Sequence, residues 1–153
     1  LTRWPGQRAA PRGWVRSLSR IAREEAHHLR LVVQLLERRG GSFSKSHRNR
    51  YAADLRALIR SGEGPLELLD RLLVCALIEA RSCERFTILA AHADDELKKL
   101  YGGLLSSEDQ HFKTFVALAR HVAKPAEVDQ RWQWMLEAEA DIAAAQPAGP
   151  HIL

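Results

Sequence analysis

The sequence predicts an all-α bundle, on three observations. Apolar residues recur at three- and four-residue steps through most of the chain, Gly and Pro gather in a few breaks between those stretches, and no strand-like alternation persists anywhere. Residues 1–13 contain Pro5, Gly6, Pro11 and Gly13 and read as an irregular basic segment with no long helix. From Trp14 to Arg39, Leu18, Ile21, Val32, Leu35 and Leu36 mark an amphipathic helix that Gly40-Gly41 ends. "GSFSKSHRNR" is a polar, basic loop, and Tyr51 to Arg60 forms a short helix closed by "SGEGP". Pro65 suits a first helical turn, so a long apolar helix runs from Leu66 to about Ala91. Asp94 or Asp95 can cap the next helix, which continues to about Val122. Pro125 stops that helix, a last one covers about Ala126 to Ala145, and "QPAGPHIL" frays. The expected organisation is a basic segment at 1–13, one helical domain at 14–146 and a tail at 147–153.

Composition narrows the functional classes. The longest uninterrupted apolar stretch is "LLVCALI", Leu72 to Ile78, far short of the roughly 20 residues a bilayer span needs. No charged segment followed by an apolar stretch opens the chain, which argues against secretion. Leu1 in place of Met points to a fragment or a trimmed product. Cys75 and Cys83 lie about 12 Å apart along a shared helix, beyond disulfide reach. Two unpaired thiols fit a cytoplasmic location. Residues 1–50 hold twelve basic and three acidic side chains (+9), and the remainder eleven and sixteen (−5). A basic front end suits a polyanionic partner, or serves as a solvated arm.

The chemistry concentrates in "REEAHH", residues 23–28, which holds two overlapping Glu-x-x-His pairs. A glutamate and a histidine three apart on a helix can grip one metal ion from the same side. The apolar line through Leu18, Ile21, Val32 and Leu35 passes through positions 25 and 28, so Glu25 and His28 face inward. Glu24 and His27 share a mostly polar line with Arg20, Gln34 and Arg38. A second Glu-x-x-His, "EDQH", falls on the line Leu97, Tyr101, Leu104, Glu108, His111, Phe115 and Leu118. On the intervening helix, Leu68, Leu72, Cys75, Glu79, Ser82 and Phe86 share a line, which places Glu79 inside. Glu84 is turned about 140° away from it. A tight turn near residues 91–93 makes the two long helices antiparallel, and Glu79 then meets the level of Glu108 and His111 while Glu84 misses it. Buried carboxylates and imidazoles converging in one core must share protons, pair with cations or bind metal. Carboxylate oxygens with one imidazole per metal suit iron or manganese better than a closed zinc site, and iron is the expectation.

"IAREEAHH", "LLERRG", "LIEARSCERF" and "LYGGLLSSEDQHF", in this order and spacing, resemble the MiaE-type tRNA hydroxylases over about residues 17–145. The resemblance implies a ferritin-like bundle with two Fe ions, dioxygen as co-substrate and an electron-donating reductase. It also implies hydroxylation of the isopentenyl group of a hypermodified adenosine in tRNA. It assigns Glu25, His28, Glu79, Glu108 and His111 as metal ligands. Members of the family begin with a helix bearing a further glutamate. Residues 1–13 carry no Asp or Glu, so that helix is expected to be missing or divergent. The alternative reading is a truncated or decayed non-catalytic bundle that binds metal or serves as an interaction module.

Arg81, Glu84, Arg85 and Tyr101 are expected to support the ligands from behind or to face the substrate, with the Tyr101 hydroxyl satisfied by a carboxylate. Arg38, Arg39, Lys45, Arg48 and Arg50, with His47, are candidates for tRNA phosphate contacts. Gly102-Gly103 inside a helix points to close helix packing. Trp132 and Trp134 read as anchors of the last helix, and Cys83 as packing in place of catalysis.

Overall fold

The computed structural model describes residues 13–42 and 49–147. Among them there is no strand, and the helices are α1 (Trp14–Arg38), α2 (Arg50–Ala57), α3 (Pro65–His92), α4 (Asp95–Val122) and α5 (Pro125–Ala144). The basic segment up to residue 12, the loop at 43–48 and the tail beyond 147 lie outside the described residues. The chain divides into two compact units: Arg12–Arg48, which holds α1, and the part from Asn49 onward, which holds α2 to α5. No helix among the described residues is long and apolar enough to cross a membrane.

Local chemistry sets the helix ends. Gly40 adopts φ 78° just after α1, and the Gly41 amide donates to Leu36 O at 2.9 Å while the Gly40 amide donates to Glu37 O at 3.0 Å. This double closure uses carbonyls that the helix end leaves open, and the positive φ favours glycine there. The Asn49 side chain accepts from the Ala52 amide at 2.9 Å to start α2. Asp94, not Asp95, caps α4 by accepting from the Leu97 amide at 3.0 Å. Pro65 and Pro125 each begin their helix at its first position, where a missing N–H costs nothing.

On α1 the buried side chains are Trp14, Ile21 and Leu35, and His28, 14% exposed, falls on the same seven-residue line. That line is narrower than the stripe expected from the sequence: Val32 is exposed, and Glu25 stays 47% exposed on the shoulder of the line. The expectation of a buried Glu25 is thereby corrected. At 3.6 residues per turn, positions three and four away from a seven-residue line fall beside it.

Among α2 to α5, α3 is the central element. Leu69, Leu72, Leu73, Ala76 and Leu77 are buried on it, beside Leu55 of α2, Leu104, Phe115 and Leu118 of α4, and Val128 and Met135 of α5. Its packing with α4 is the most extensive, with further contacts to α2 and α5. Each such leucine contributes about 1.5–3 kcal/mol by leaving water. The Trp132 ring lies 5.8 Å from that of Phe112, tilted by 50°, and joins α5 to α4. Trp134, by contrast, is 45% exposed, with the Arg131 guanidinium 4.0 Å over its ring.

One buried carboxylate ties α2, α3 and α5 together. Asp70, fully buried in the second turn of α3, accepts from the Arg60 amide at 3.0 Å, Arg60 Nε at 2.8 Å and Arg60 Nη2 at 2.7 Å. It also accepts from Arg131 Nε at 2.9 Å and Nη2 at 3.0 Å. Arg131 Nη2 also donates to Leu58 O at 2.8 Å. Burial pushes the Asp70 carboxyl up, but the bonds from Arg60 and Arg131 outweigh it and hold the group below the usual carboxylate range. Past Ala57 the Leu58 and Ile59 amides turn to carbonyls three residues back, which ends α2 short of the expected Arg60, and the Arg60 amide goes to Asp70.

Gly102 and Gly103 have nothing within 4 Å of where a side chain would begin. Close packing is therefore not the reason for this pair, and the structure supplies no other. Replacing both by alanine should stabilise the fold by about 1–2 kcal/mol through helix propensity, read as a higher urea midpoint with an unchanged slope.

Candidate metal centre

Two long helices joined by a tight turn present their inward faces to each other, and the turn fixes which residues meet. On α3 the line through Leu72, Glu79 and Ser82 is buried. On α4 the line through Leu104, Glu108, His111, Phe115 and Leu118 is buried as well. Glu79, Glu108 and His111 are 8%, 5% and 0% exposed, and each offers a donor atom within 4.8 Å of the others. His111 Nδ1 lies 3.9 Å from Glu79 Oε1, and its Nε2 lies 3.5 Å from Ser107 Oγ. Two carboxylates and an imidazole, withdrawn from water onto one spot, form a donor set of the oxygen-plus-imidazole kind that fits an iron ion. Carboxylates and an imidazole gathered in an apolar interior share protons, pair with cations or bind metal.

The expected separation of Glu79 from Glu84 holds. Glu84 is 63% exposed and receives Arg81 Nη1 at 2.6 Å. On α1, taken by itself, the two overlapping pairs also behave differently. His28 Nδ1 lies 3.4 Å from Glu25 Oε1, whereas His27 Nδ1 receives Arg30 Nη2 at 3.1 Å on an exposed face.

The residues expected to surround the site divide in three ways. Arg81 forms a buried fork on Glu139: its Nε donates to Oε1 at 2.9 Å, and its Nη2 lies 2.7 Å from both oxygens. Tyr51 donates to the same Glu139 Oε1 at 2.7 Å. Burial, and then the bond to Glu139, push the Tyr51 phenol well above its usual range. Tyr101 stacks on Phe86 at 5.6 Å and 17° between planes, in place of the expected carboxylate partner. Arg85 is half-buried and, among the described residues, has Ser82 Oγ at 3.4 Å as its one side-chain acceptor.

Sequence reasoning missed Glu139 and Asp70. The available signal was an acidic residue on an apolar line of its helix: Glu139 is spaced by sevens and fours from Val128, Met135 and Trp132. Removing it strands Arg81 and Tyr51 together. Glu139→Ala should cost about 3–5 kcal/mol and Tyr51→Phe only about 1 kcal/mol in chemical denaturation.

Both cysteines are free. Burial and the neighbouring Glu79 push the Cys75 thiol up to about 11. Burial and nearby carboxylates, Asp109 and Glu108 foremost, also raise Cys83. Neither is a thiolate at neutral pH, in keeping with packing. Of the expected tRNA contacts, Arg38 and Arg39 are exposed at the end of α1, Arg50 is exposed 3.7 Å from Asp54, and Lys45, His47 and Arg48 lie outside the described residues.

The profile of the family described as tRNA-(MS[2]IO[6]A)-hydroxylase (MiaE) matches residues 7–152. A Pseudomonas putida protein named tRNA 2-(methylsulfanyl)-N(6)-isopentenyladenosine(37) hydroxylase is 41% identical over 128 residues, 84% of this chain and 62% of that protein. One of the same name from Salmonella typhimurium is 37% identical over 122 residues, 80% of this chain and 44% of that protein. The chain thus spans less than two thirds of either relative. A solved structure, "Protein 43 with aldehyde deformylating oxygenase activity from Synechococcus", superposes with a TM-score of 0.83 at 36% identity, covering 92% of this chain and 69% of that one. With its all-α, ferritin-like fold and its buried carboxylate and imidazole donors on α3 and α4, the chain belongs to the MiaE family.

Proposed function

We propose that the chain is the helical part of a cytoplasmic, di-iron, oxygen-dependent hydroxylase acting on the isopentenyl group of a hypermodified adenosine in tRNA. The convergence of Glu79, Glu108 and His111 in the α3–α4 core supports it most directly. Glu25 and His28 on α1 repeat the same Glu-x-x-His pattern, with side chains that approach each other to 3.4 Å. The relatives' names supply the substrate class.

When bound, iron supplies dioxygen activation: one oxygen atom enters a prenyl C–H bond, the other leaves as water, and an external reductase provides two electrons. The chain's own residues do the rest. Glu79 and Glu108 would offer carboxylate oxygens to the metal, and Ser107 sits against the His111 ring on the side of Nε2. The apolar side chains along the same lines, Leu72, Leu104 and Phe115, exclude water from the reacting region, as a prenyl group requires. Arg38, Arg39, Lys45, Arg48 and Arg50 supply phosphate contacts whose strength falls with salt.

Anaerobic iron loading followed by metal analysis should find about two irons per chain, as in carboxylate-bridged bundles. Prenylated tRNA with an electron donor should then gain a hydroxyl, read by mass spectrometry of its nucleosides. A chain that retains no iron would remove the catalytic reading. A second reading is a metal-binding bundle without turnover, for which the buried donors Glu79, Glu108 and His111 would suffice. Iron retention and tRNA binding with no hydroxylation would select it.

A further inference from the structure

Two arginines stand one turn apart on α3 in different electrostatic states. Arg81 is saturated by Glu139 and Glu84. Arg85 has no carboxylate bonded to it among the described residues. Its Nη2 reaches Ser82 Oγ at 3.4 Å, and its buried Nε has no hydrogen-bond partner. Burial lowers its pKa from the usual arginine range; Tyr51 and Glu108 oppose the shift and Arg81 adds to it. A buried guanidinium nitrogen without an acceptor is costly, and the planar fork of arginine matches a phosphate.

Position supplies the rest of the argument. Ser82, which Arg85 touches, follows Glu79 by three residues on the buried line of α3, so the guanidinium lies within about 9 Å of the Glu79 level along the helix. Glu108 is the carboxylate that acts on it from α4.

We propose that Arg85 is the receptor for a phosphate of the substrate, so that the site distinguishes a nucleotide-linked prenyl adenosine from the free nucleoside. This rests on the hydroxylase reading above. Arg81, committed to Glu139, does not share the role.

The test is calorimetric binding to the iron-loaded chain, without oxygen or reductant. The ligands are 2-methylthio-isopentenyladenosine and its 5′-monophosphate. The monophosphate should bind at least about tenfold more tightly, since charged hydrogen bonds to a fork are the strong ones. Arg85→Gln should remove that ratio and leave the nucleoside affinity unchanged, and Arg85→Lys should keep part of it. Equal binding of the two ligands to the unaltered chain, or an unchanged ratio in Arg85→Gln, overturns the role of Arg85 and leaves the hydroxylase reading standing. Failure of both ligands to bind overturns both.

Discussion

Replacing Asp70 by alanine should lower the stability of the fold by about 3–5 kcal/mol, the range for removing one partner of a buried ion pair. Two guanidiniums lose their shared acceptor, and the Arg60 amide loses its bond as well. For a chain of this length such a loss moves the thermal midpoint by on the order of 10–15 °C. Calorimetry of Asp70→Ala beside Arg71→Ala is the measurement. Arg71 pairs with Glu67 on the surface, and its loss should stay within about 0.5 kcal/mol. The pH dependence carries a definite sign. The folded-state pKa of Asp70 is depressed, so its contribution is fully present above the unfolded value of about 3.9 and disappears as pH falls through the lower folded value. Asp70→Asn should therefore be less stable at neutral pH and should show a shallower loss of stability in acid. Equal acid limbs for the two proteins would contradict this assignment.

The second large effect concerns the metal centre. Glu108→Ala and His111→Ala should each weaken iron binding by more than about 100-fold, because even outer partners of a ligand account for about 10–100-fold. Glu79→Gln should weaken it as well, because an amide oxygen replaces a carboxylate. Iron titrated into each variant, followed by thermal melts with and without metal, should give a smaller metal-dependent rise in melting temperature than in the unaltered chain. Glu24→Ala, His27→Ala and Glu84→Ala should leave iron affinity unchanged. A loss of iron with His27→Ala and none with His28→Ala would reverse the choice of face on α1.

Helix positions were legible in the sequence wherever their causes are local. Asp94 reaches an amide three residues away, Gly40 and Gly41 close α1 on residues 36 and 37, and prolines mark two helix starts. Such signals need no tertiary contact. The same holds for the inward lines of α3 and α4, where the helical period alone places Glu79, Glu108 and His111 among apolar neighbours.

Residues whose roles depend on distant partners were hidden. Asp70 finds Arg131 across 61 positions and Glu139 finds Arg81 across 58. An acidic residue on an apolar line reads the same whether it is clamped by arginines, binds metal or points aside. Tyr101 and Arg85 show the same limit. The period placed Tyr101 on a buried line but could not foresee that Phe86 would stack on its ring, and no sequence feature distinguishes a satisfied arginine from an unsatisfied one a turn later.

By itself, the sequence determined the all-α class, the order and approximate ends of the helices, and the inward placement of Glu79, Glu108 and His111 on α3 and α4. These follow from short-range geometry that the backbone imposes on any chain. Only the tertiary structure decided that Asp70 and Glu139 hold the helices together, that Arg81 is committed while Arg85 is not, and that Glu25 sits on the shoulder of its line. Ion pairing and burial depend on which side chains meet across helices, and one carboxylate can satisfy only the cations that the fold brings to it.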